Sequence, residues 1–294
     1  MNKTKLTLKI TGEIIEQYWP LTNVQAGEIL SQSGERIVGA LSAHEGNFVY
    51  KIADPSKTEA AIQKDTFAFD FLSRQNWPHI PKLLSTREDG PFQVIDDKFV
   101  YVMERVEGKA PERNPATWQE LGRIAASLHE ISGYPYQSSF TVESEIARFE
   151  EIASKVSFGS AYLEVARSLN DFGGLSQTLI HTDIGPHNSV QKQDGTIVLT
   201  DWDDVGIGTT ILDLGFPLIC HFVTEDLKTE EENARAFYAS YFSHRSIPER
   251  EKDLIFDAGL LYALAYVPYG NTEKHWERIK FATEHKALIS GWVR

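Results

Sequence analysis

The run Leu179-Ile180-His181-Thr182-Asp183-Ile184-Gly185-Pro186-His187-Asn188, followed after a polar turn by Thr196-Ile197-Val198-Leu199-Thr200-Asp201-Trp202-Asp203, constrains this chain more than any other feature. It reads as a phosphoryl-transfer centre. A carboxylate at Asp183 is suited to orient and deprotonate a hydroxyl, while the amide of Asn188 and the carboxylate of Asp201 are hard oxygen donors for a magnesium ion that bridges nucleotide phosphates. Asn188 follows Asp183 by five positions and Asp201 follows by thirteen more, at the end of an apolar, β-branched run from Ile197 to Leu199. The spacing predicts two strand ends that deliver oxygen ligands to one crevice.

The pattern His-x-Asp-x-x-x-x-Asn followed by a strand ending in Asp-Trp-Asp resembles the aminoglycoside phosphotransferase family, whose relatives include choline, homoserine and methylthioribose kinases. The resemblance implies an α+β, bilobal, protein-kinase-like fold with a small antiparallel-sheet N-lobe and a larger, mainly helical C-lobe. Thr182 stands where protein kinases carry Arg and most small-molecule relatives carry Gly. Asp201-Trp202-Asp203 replaces Asp-Phe-Gly, and no later Ala-Pro-Glu closes an activation loop, so a protein substrate is not expected.

Other parts fall in the family's order. Between Val24 and Ile52 short apolar segments alternate with turns, which predicts a β-meander, and Phe48-Val49-Tyr50-Lys51-Ile52 is its strongest strand. The resemblance places the Ser31 to Glu35 turn over the phosphates, with Ser31, Ser33 and Gly34 as contacts and Lys51 as a point charge on the phosphate oxygens. It asks for an acidic partner of Lys51 on the next helix, Thr58 to Gln75. Asp65 occupies that position one methylene short of the usual Glu, with Glu59 in reserve. Phe99 to Met103 is a strand leading to a hinge, where the family pairs adenine with main-chain groups; here these are the Glu104 carbonyl and the Val106 amide behind Met103. The expected lobes are therefore 1–106, binding nucleotide, and 107–294, carrying catalysis and the acceptor.

Asn114-Pro115 is a helix start, with an Asn cap and Pro in the first turn, and Trp118, Leu121, Ala125 and Leu128 share its buried face. His129 beside that stripe is read as structural. Glu143, Glu145, Glu150 and Glu151 on the next helical stretch are read as a solvated face, and Asp213, in the family-like Asp213-Leu214-Gly215, as an anchor for the catalytic loop. The aromatic residues of the last segment, Phe237 to Trp292, are read mostly as core.

Composition narrows the partners. With 294 residues and 41% hydrophobic content the chain can bury a substantial core. A formal charge of −13 opposes nucleic-acid or anionic-membrane binding, and is compatible with a cationic acceptor. The N-terminal residues lack the apolar run of a secretory signal, so a cytoplasmic location is expected. The apolar stretches around Leu214 to Val223 and Ala258 to Val267 are too short to span a bilayer and are expected as buried helices. Cys220, the single cysteine, is expected as a small buried hydrophobe.

The expected activity is transfer of the γ-phosphoryl group of ATP, with GTP also admissible, to a hydroxyl of a small molecule such as an amino or sugar alcohol, assisted by Mg2+ at Asn188 and Asp201. Asp183, Asn188 and Asp201 are the catalytic set. Two alternatives stand beside it: a metal-dependent hydrolase built on His181, Asp183, His187 and Asp201, and a kinase fold that binds nucleotide without catalysis. A dinucleotide site at Gly206-Ile207-Gly208 fails because Ile211 stands where the third glycine belongs.

Overall fold

The computed structural model describes residues 9–294, which divide into two compact units: the residues up to Lys109 together with Lys192–Thr200, and Ala110–Gln191 together with Asp201–Arg294. The short segment 192–200 is the departure from the lobe boundary expected at 106. It joins the first unit because the Leu199 N–H donates to the His79 carbonyl at 2.8 Å and the His79 ring contacts the Ile197 carbonyl at 2.6 Å.

The first unit begins with helix α1 (Gly12–Tyr18), then a meander of β1 (Gln25–Ser33), β2 (Arg36–Ala43) and β3 (Gly46–Ile52). Helix α2 (Glu59–Arg74) follows, then β4 (Leu83–Leu84), β5 (Gln93–Ile95) and β6 (Lys98–Glu104). The sheet order is β1-β2-β3-β6-β4 with β5 also on β6, and every pairing is antiparallel. One face buries Ile37, Leu41, Phe48, Tyr50, Ile52, Val100 and Val102 against Ile15 and Trp19 of the first helical segment. Each such side chain contributes about 2 kcal/mol by leaving water. Strand β1 is different, since all nine of its residues are exposed and its pairing with β2 is interrupted by two register shifts. Helix α2 starts on the Thr58 hydroxyl, which accepts from the Ala61 N–H, and the predicted helix from Thr58 to Gln75 is thus observed with its cap.

The second unit contains α3 (Pro115–His129), α4 (Val142–Ser154), α5 (Gly159–Arg167) and β7 (Gln177–Ile180). After β7 come a 3-10 turn (Pro186–Asn188) and β8 (Ser189–Gln191). Strand β9 (Ile197–Leu199), which lies in the first unit, is followed by β10 (Gly206–Thr209), which pairs antiparallel with β7. The remainder is helical: α6 (Ile211–Cys220), α7 (Glu231–His244), α8 (Glu249–Asp253), α9 (Ile255–Tyr266), α10 (Thr272–Glu284) and α11 (Lys286–Ser290). Helix α3 opens as its sequence predicts, with the Asn114 side chain accepting from the Thr117 N–H at 3.0 Å and Pro115 in the first turn. Helices α6 and α9 are the two apolar stretches, and they touch backbone to backbone: a Cβ on Gly215 would lie 2.5 Å from the Gly259 nitrogen, and one on Gly259 would lie 2.6 Å from the Gly215 oxygen. Among the described residues no helix is long and apolar enough to cross a membrane.

The charged face expected on α4 needs one correction. Glu145 is buried, with its carboxylate bonded to Arg148 at 2.6 Å and close to the Ser144 hydroxyl, and burial pushes its pKa up. Its place in the apolar stripe, four residues before Phe149, overrides the polarity of the side chain.

Candidate active site

The loop after β7 is held from beneath by one carboxylate. Asp213, fully buried in the first turn of α6, accepts from the His181 N–H at 2.9 Å, from the Thr182 N–H at 2.5 Å and from His129 Nε2 at 3.1 Å. His129 in turn meets the Tyr241 hydroxyl through Nδ1 at 2.8 Å. Asp213 therefore anchors the loop, and His129 is structural, as the sequence suggested for both. The anchoring holds Thr182 at φ +78°, a left-handed conformation that costs a β-branched residue about 1–3 kcal/mol. Glycine at the same position would be free of that cost.

The loop presents Asp183 with its two oxygens in different states. Oδ2 accepts from Asn188 Nδ2 at 2.8 Å, and the Asp183 carbonyl accepts from the same amide at 3.2 Å. Oδ1 lies 3.1 Å from His187 Nε2, off the line of a hydrogen bond, and among the described residues it has no hydrogen-bond partner. Asn188 thus spends its amide nitrogen on Asp183, and among the described residues its Oδ1 makes no hydrogen bond. His181 is fully buried; its Nδ1 accepts from the Asp183 N–H at 3.3 Å, and its ring lies against the buried Trp202 with centroids 4.5 Å apart. Asp201, just before Trp202, is half-buried with φ +60°.

The expected metal cluster of His181, Asp183, His187 and Asp201 does not form as a group of ligands. His181 is instead spent beneath the loop, and the group that does converge is Asp183, His187 and His221, each offering one ligand atom within 4.8 Å of the others. His221, which caps α6, was not singled out in the sequence. Its ring lies 4.8 Å from His187 and 5.1 Å from Phe216. Its Nδ1 faces Arg113 Nη1 at 3.4 Å, and its carbonyl accepts from Arg113 Nη2. An arginine only donates, so Nδ1 is the acceptor and Nε2 carries the proton. That N–H is buried without a hydrogen-bond partner. Burial, followed by the positive charges of His187, Arg113 and Arg278, holds the His221 pKa well below its usual value. A Cβ at Gly185 would lie 2.6 Å from His221 Nε2 and 2.8 Å from His187 Nδ1, so the loop admits both imidazoles only because residue 185 has no side chain. Cys220 keeps some surface, yet burial pushes its thiol up to about 12, which removes it as a nucleophile.

Phe216, 6.4 Å from the His187 ring, also contacts Tyr262 and Tyr266 of α9, both raised in pKa, chiefly by burial and then by nearby carboxylates that include Asp183 and Asp204. The Tyr262 ring stacks on Phe140 at 4.0 Å, and its hydroxyl has no partner among the described residues.

The residues expected to bind nucleotide lie in the first unit. The turn between β1 and β2 is shorter than expected: Ser31 and Ser33 are strand residues paired with Val38 and Arg36, and only Gly34 and Glu35 remain as the connection. Gly34 has φ +59°, which suits a two-residue hairpin. Lys51 is buried in β3, paired across the sheet with Val38 and Tyr101. Asp65 is the buried acid of α2, in contact with Lys57 and, at 3.5 Å, with Lys64; Glu59 is exposed in the first turn. Met103 and Val106 are half-buried and Glu104 is exposed. The Glu104 N–H donates to the Lys82 carbonyl at 2.8 Å, whereas among the described residues the Val106 N–H has no main-chain partner. A cleft of about 560 Å³ is lined by Glu104, Arg105 and Val106 with Lys82, Asp194 and Val198.

Residues 38–249 match the sequence profile of the phosphotransferase enzyme family, well over half of the chain. Among curated proteins none matches the sequence. Among solved structures, a microcompartment-associated aminopropanol kinase superposes with a TM-score of 0.68 at 19% identity, covering 95% of this chain and 98% of that one. An aminoglycoside phosphotransferase from Alicyclobacillus acidocaldarius gives 0.66 at 13% identity, covering 99% and 96%. An amicoumacin kinase solved in complex with AMP-PNP, Ca2+ and Ami gives 0.65 at 17% identity, covering 92% and 90%.

Proposed function

The chain belongs to the phosphotransferase enzyme family and is a small-molecule kinase; from that premise we propose that it transfers the γ-phosphoryl group of ATP to an alcohol, with Asp183 as the group that receives the acceptor hydroxyl. The observation that carries this reading is the asymmetry of the Asp183 carboxylate. One oxygen is fixed by Asn188, and the other, buried 3.1 Å from His187 Nε2, makes no hydrogen bond among the described residues and so keeps the capacity to accept the acceptor's O–H. A carboxylate held in this way positions the hydroxyl in line and takes its proton, and in a loose transition state positioning supplies most of the acceleration.

Magnesium fits the donors that are present. Asn188 Oδ1 is free of hydrogen bonds among the described residues, and Asp201 adds a half-buried carboxylate, so both offer hard oxygens. When bound, the ion would neutralise phosphate charge. Among the first unit's residues, Lys51 is assigned to the phosphate oxygens and Asp65, the buried acid of α2, is assigned in preference to the exposed Glu59 as the carboxylate that orients it. Gly34 with the flanking Ser31 and Ser33 would cover the phosphates, and the Glu104 carbonyl and Val106 N–H, beside Met103, would take the adenine edge. The nucleotide and divalent cation in the amicoumacin kinase support the cofactor pair.

ADP release from Mg-ATP, measured against a panel of amino alcohols, sugars, aminoglycosides and hydroxy acids with Asp183→Asn as the blank, tests the proposal. Release stimulated by one acceptor and lost in the variant is expected. Stimulation that survives in Asp183→Asn would remove Asp183 from the reaction.

A further inference from the structure

Among the described residues, the buried guanidinium of Arg278 makes no hydrogen bond or ion pair. Arg278, on α10, is only 8% exposed, and its Nε is buried without a hydrogen-bond partner. Arg113, the other arginine acting on His221, is the contrast: that charge is met by both Glu230 oxygens at 2.8 Å. The carboxylate that feels Arg278 electrostatically, Glu225, is exposed and pairs with Lys274 at 3.1 Å. An uncompensated buried guanidinium is expensive and is a mark of a ligand site.

Helix α10, which carries Arg278, packs against α6, Arg278 acts electrostatically on His221 and Cys220 at the end of α6, and His221 supplies the second unsatisfied donor, its buried Nε2–H. Because that nitrogen carries the proton, it is ready to donate and is not a metal ligand, so the convergence of Asp183, His187 and His221 is better suited to an oxygen ligand than to a cation. We infer that Arg278 and His221 Nε2–H bind a carboxylate on the acceptor, whose hydroxyl is thereby delivered to Asp183: the preferred substrate is a hydroxy acid or hydroxy amino acid, and not a purely cationic amino alcohol. A single open guanidinium beside one neutral N–H matches a monoanion, and the planar fork suits a carboxylate. The inference rests on Asp183 as the acceptor-activating group.

The test compares acceptors of one length that differ only at the far end: 4-hydroxybutyrate, 4-hydroxybutanamide and 4-amino-1-butanol, with hydroxy acids of neighbouring lengths and L-homoserine in parallel. With the intact chain, kcat/KM for the best acid should exceed that of its amide and amine by about tenfold or more. Arg278→Gln should raise KM for the acid about thirtyfold, leave the amide nearly unaffected, and be partly rescued in Arg278→Lys. In the absence of ligand, Arg278→Gln and Arg278→Met should melt a few degrees higher than the parent, since an unpaired buried charge is removed; an arginine that only supports the fold would melt lower. Calorimetric titration with the non-reacting butyrate should show binding that disappears in Arg278→Gln. Preference for the amine, or an equal loss for all three acceptors in Arg278→Gln, overturns the inference and leaves the kinase reading standing. Butyrate binding that depends on Arg278, with no ADP release from any acceptor, sustains the carboxylate site and overturns the proposed transfer from ATP instead.

Discussion

The loop from His181 to Asn188 and the hairpin of β1 and β2 are both assigned to phosphoryl transfer, yet they are built in opposite ways. The loop sits on a fully buried carboxylate that binds two successive main-chain N–H groups and an imidazole. The hairpin has an outer strand exposed along its whole length, two interruptions of register, and a two-residue turn with open space around its glycine. A group that must meet a hydroxyl in line needs a fixed frame, because misplacement of an ångström is costly. A cover for phosphates has to open, and few buried contacts keep it at the low end of local stability.

That contrast can be broken by substitution. Asp183→Asn should have the largest effect, lowering turnover on the order of 10² to 10⁴ with nucleotide affinity nearly intact, whereas Asp201→Asn should abolish magnesium-dependent nucleotide use; nucleotide binding lost equally in both would erase the division of roles. Asp213→Ala comes next. It strands two buried N–H groups and His129, and should cost about 3 kcal/mol or more in urea unfolding, with activity falling alongside. Gly185→Ala forces a Cβ against two imidazoles and should reduce kcat/KM about tenfold while secondary structure by circular dichroism is unchanged. Thr182→Gly has the opposite sign, since glycine accepts φ +78° and keeps the N–H that Asp213 binds; about 1 kcal/mol of added stability is expected. Gly34→Ala, at φ +59° with nothing nearby, should cost about 1 kcal/mol at most and act mainly on KM for ATP. Should Gly34→Ala prove as damaging as Asp213→Ala, the hairpin is not the yielding partner.

The sequence made the loop legible because its chemistry is contiguous: Asp183, Asn188 and Asp201 are spaced by a strand and a turn, and the Asn114-Pro115 start and the two apolar helices follow local rules. The anchoring role of Asp213 was readable from the short segment around it. What escaped depends on three-dimensional convergence. His221 closes a helix more than thirty residues from Asp183 and has no flanking motif. Arg278 does leave a trace in the sequence, since it stands in the buried stripe of α10 with Ile279 and Ala282, where an apolar residue would be ordinary. Glu145 was misread for the complementary reason: a carboxylate among four on one helix looks solvated until packing places it inside. The hairpin turn is shorter than its sequence suggests because serines favour turns as readily as they tolerate an exposed strand.

The bare meeting of Gly215 and Gly259 sets a limit on how this enzyme can diversify. Helix α6 carries Asp213 near its start and leads into His221 at its end, so its placement serves both the loop anchor and the imidazole. With backbone resting on backbone, a methyl group at either glycine would displace the whole rod, and no single change at the other position restores the gap. Change around the loop is therefore open to side chains that surround a fixed axle and shut out of the axle itself.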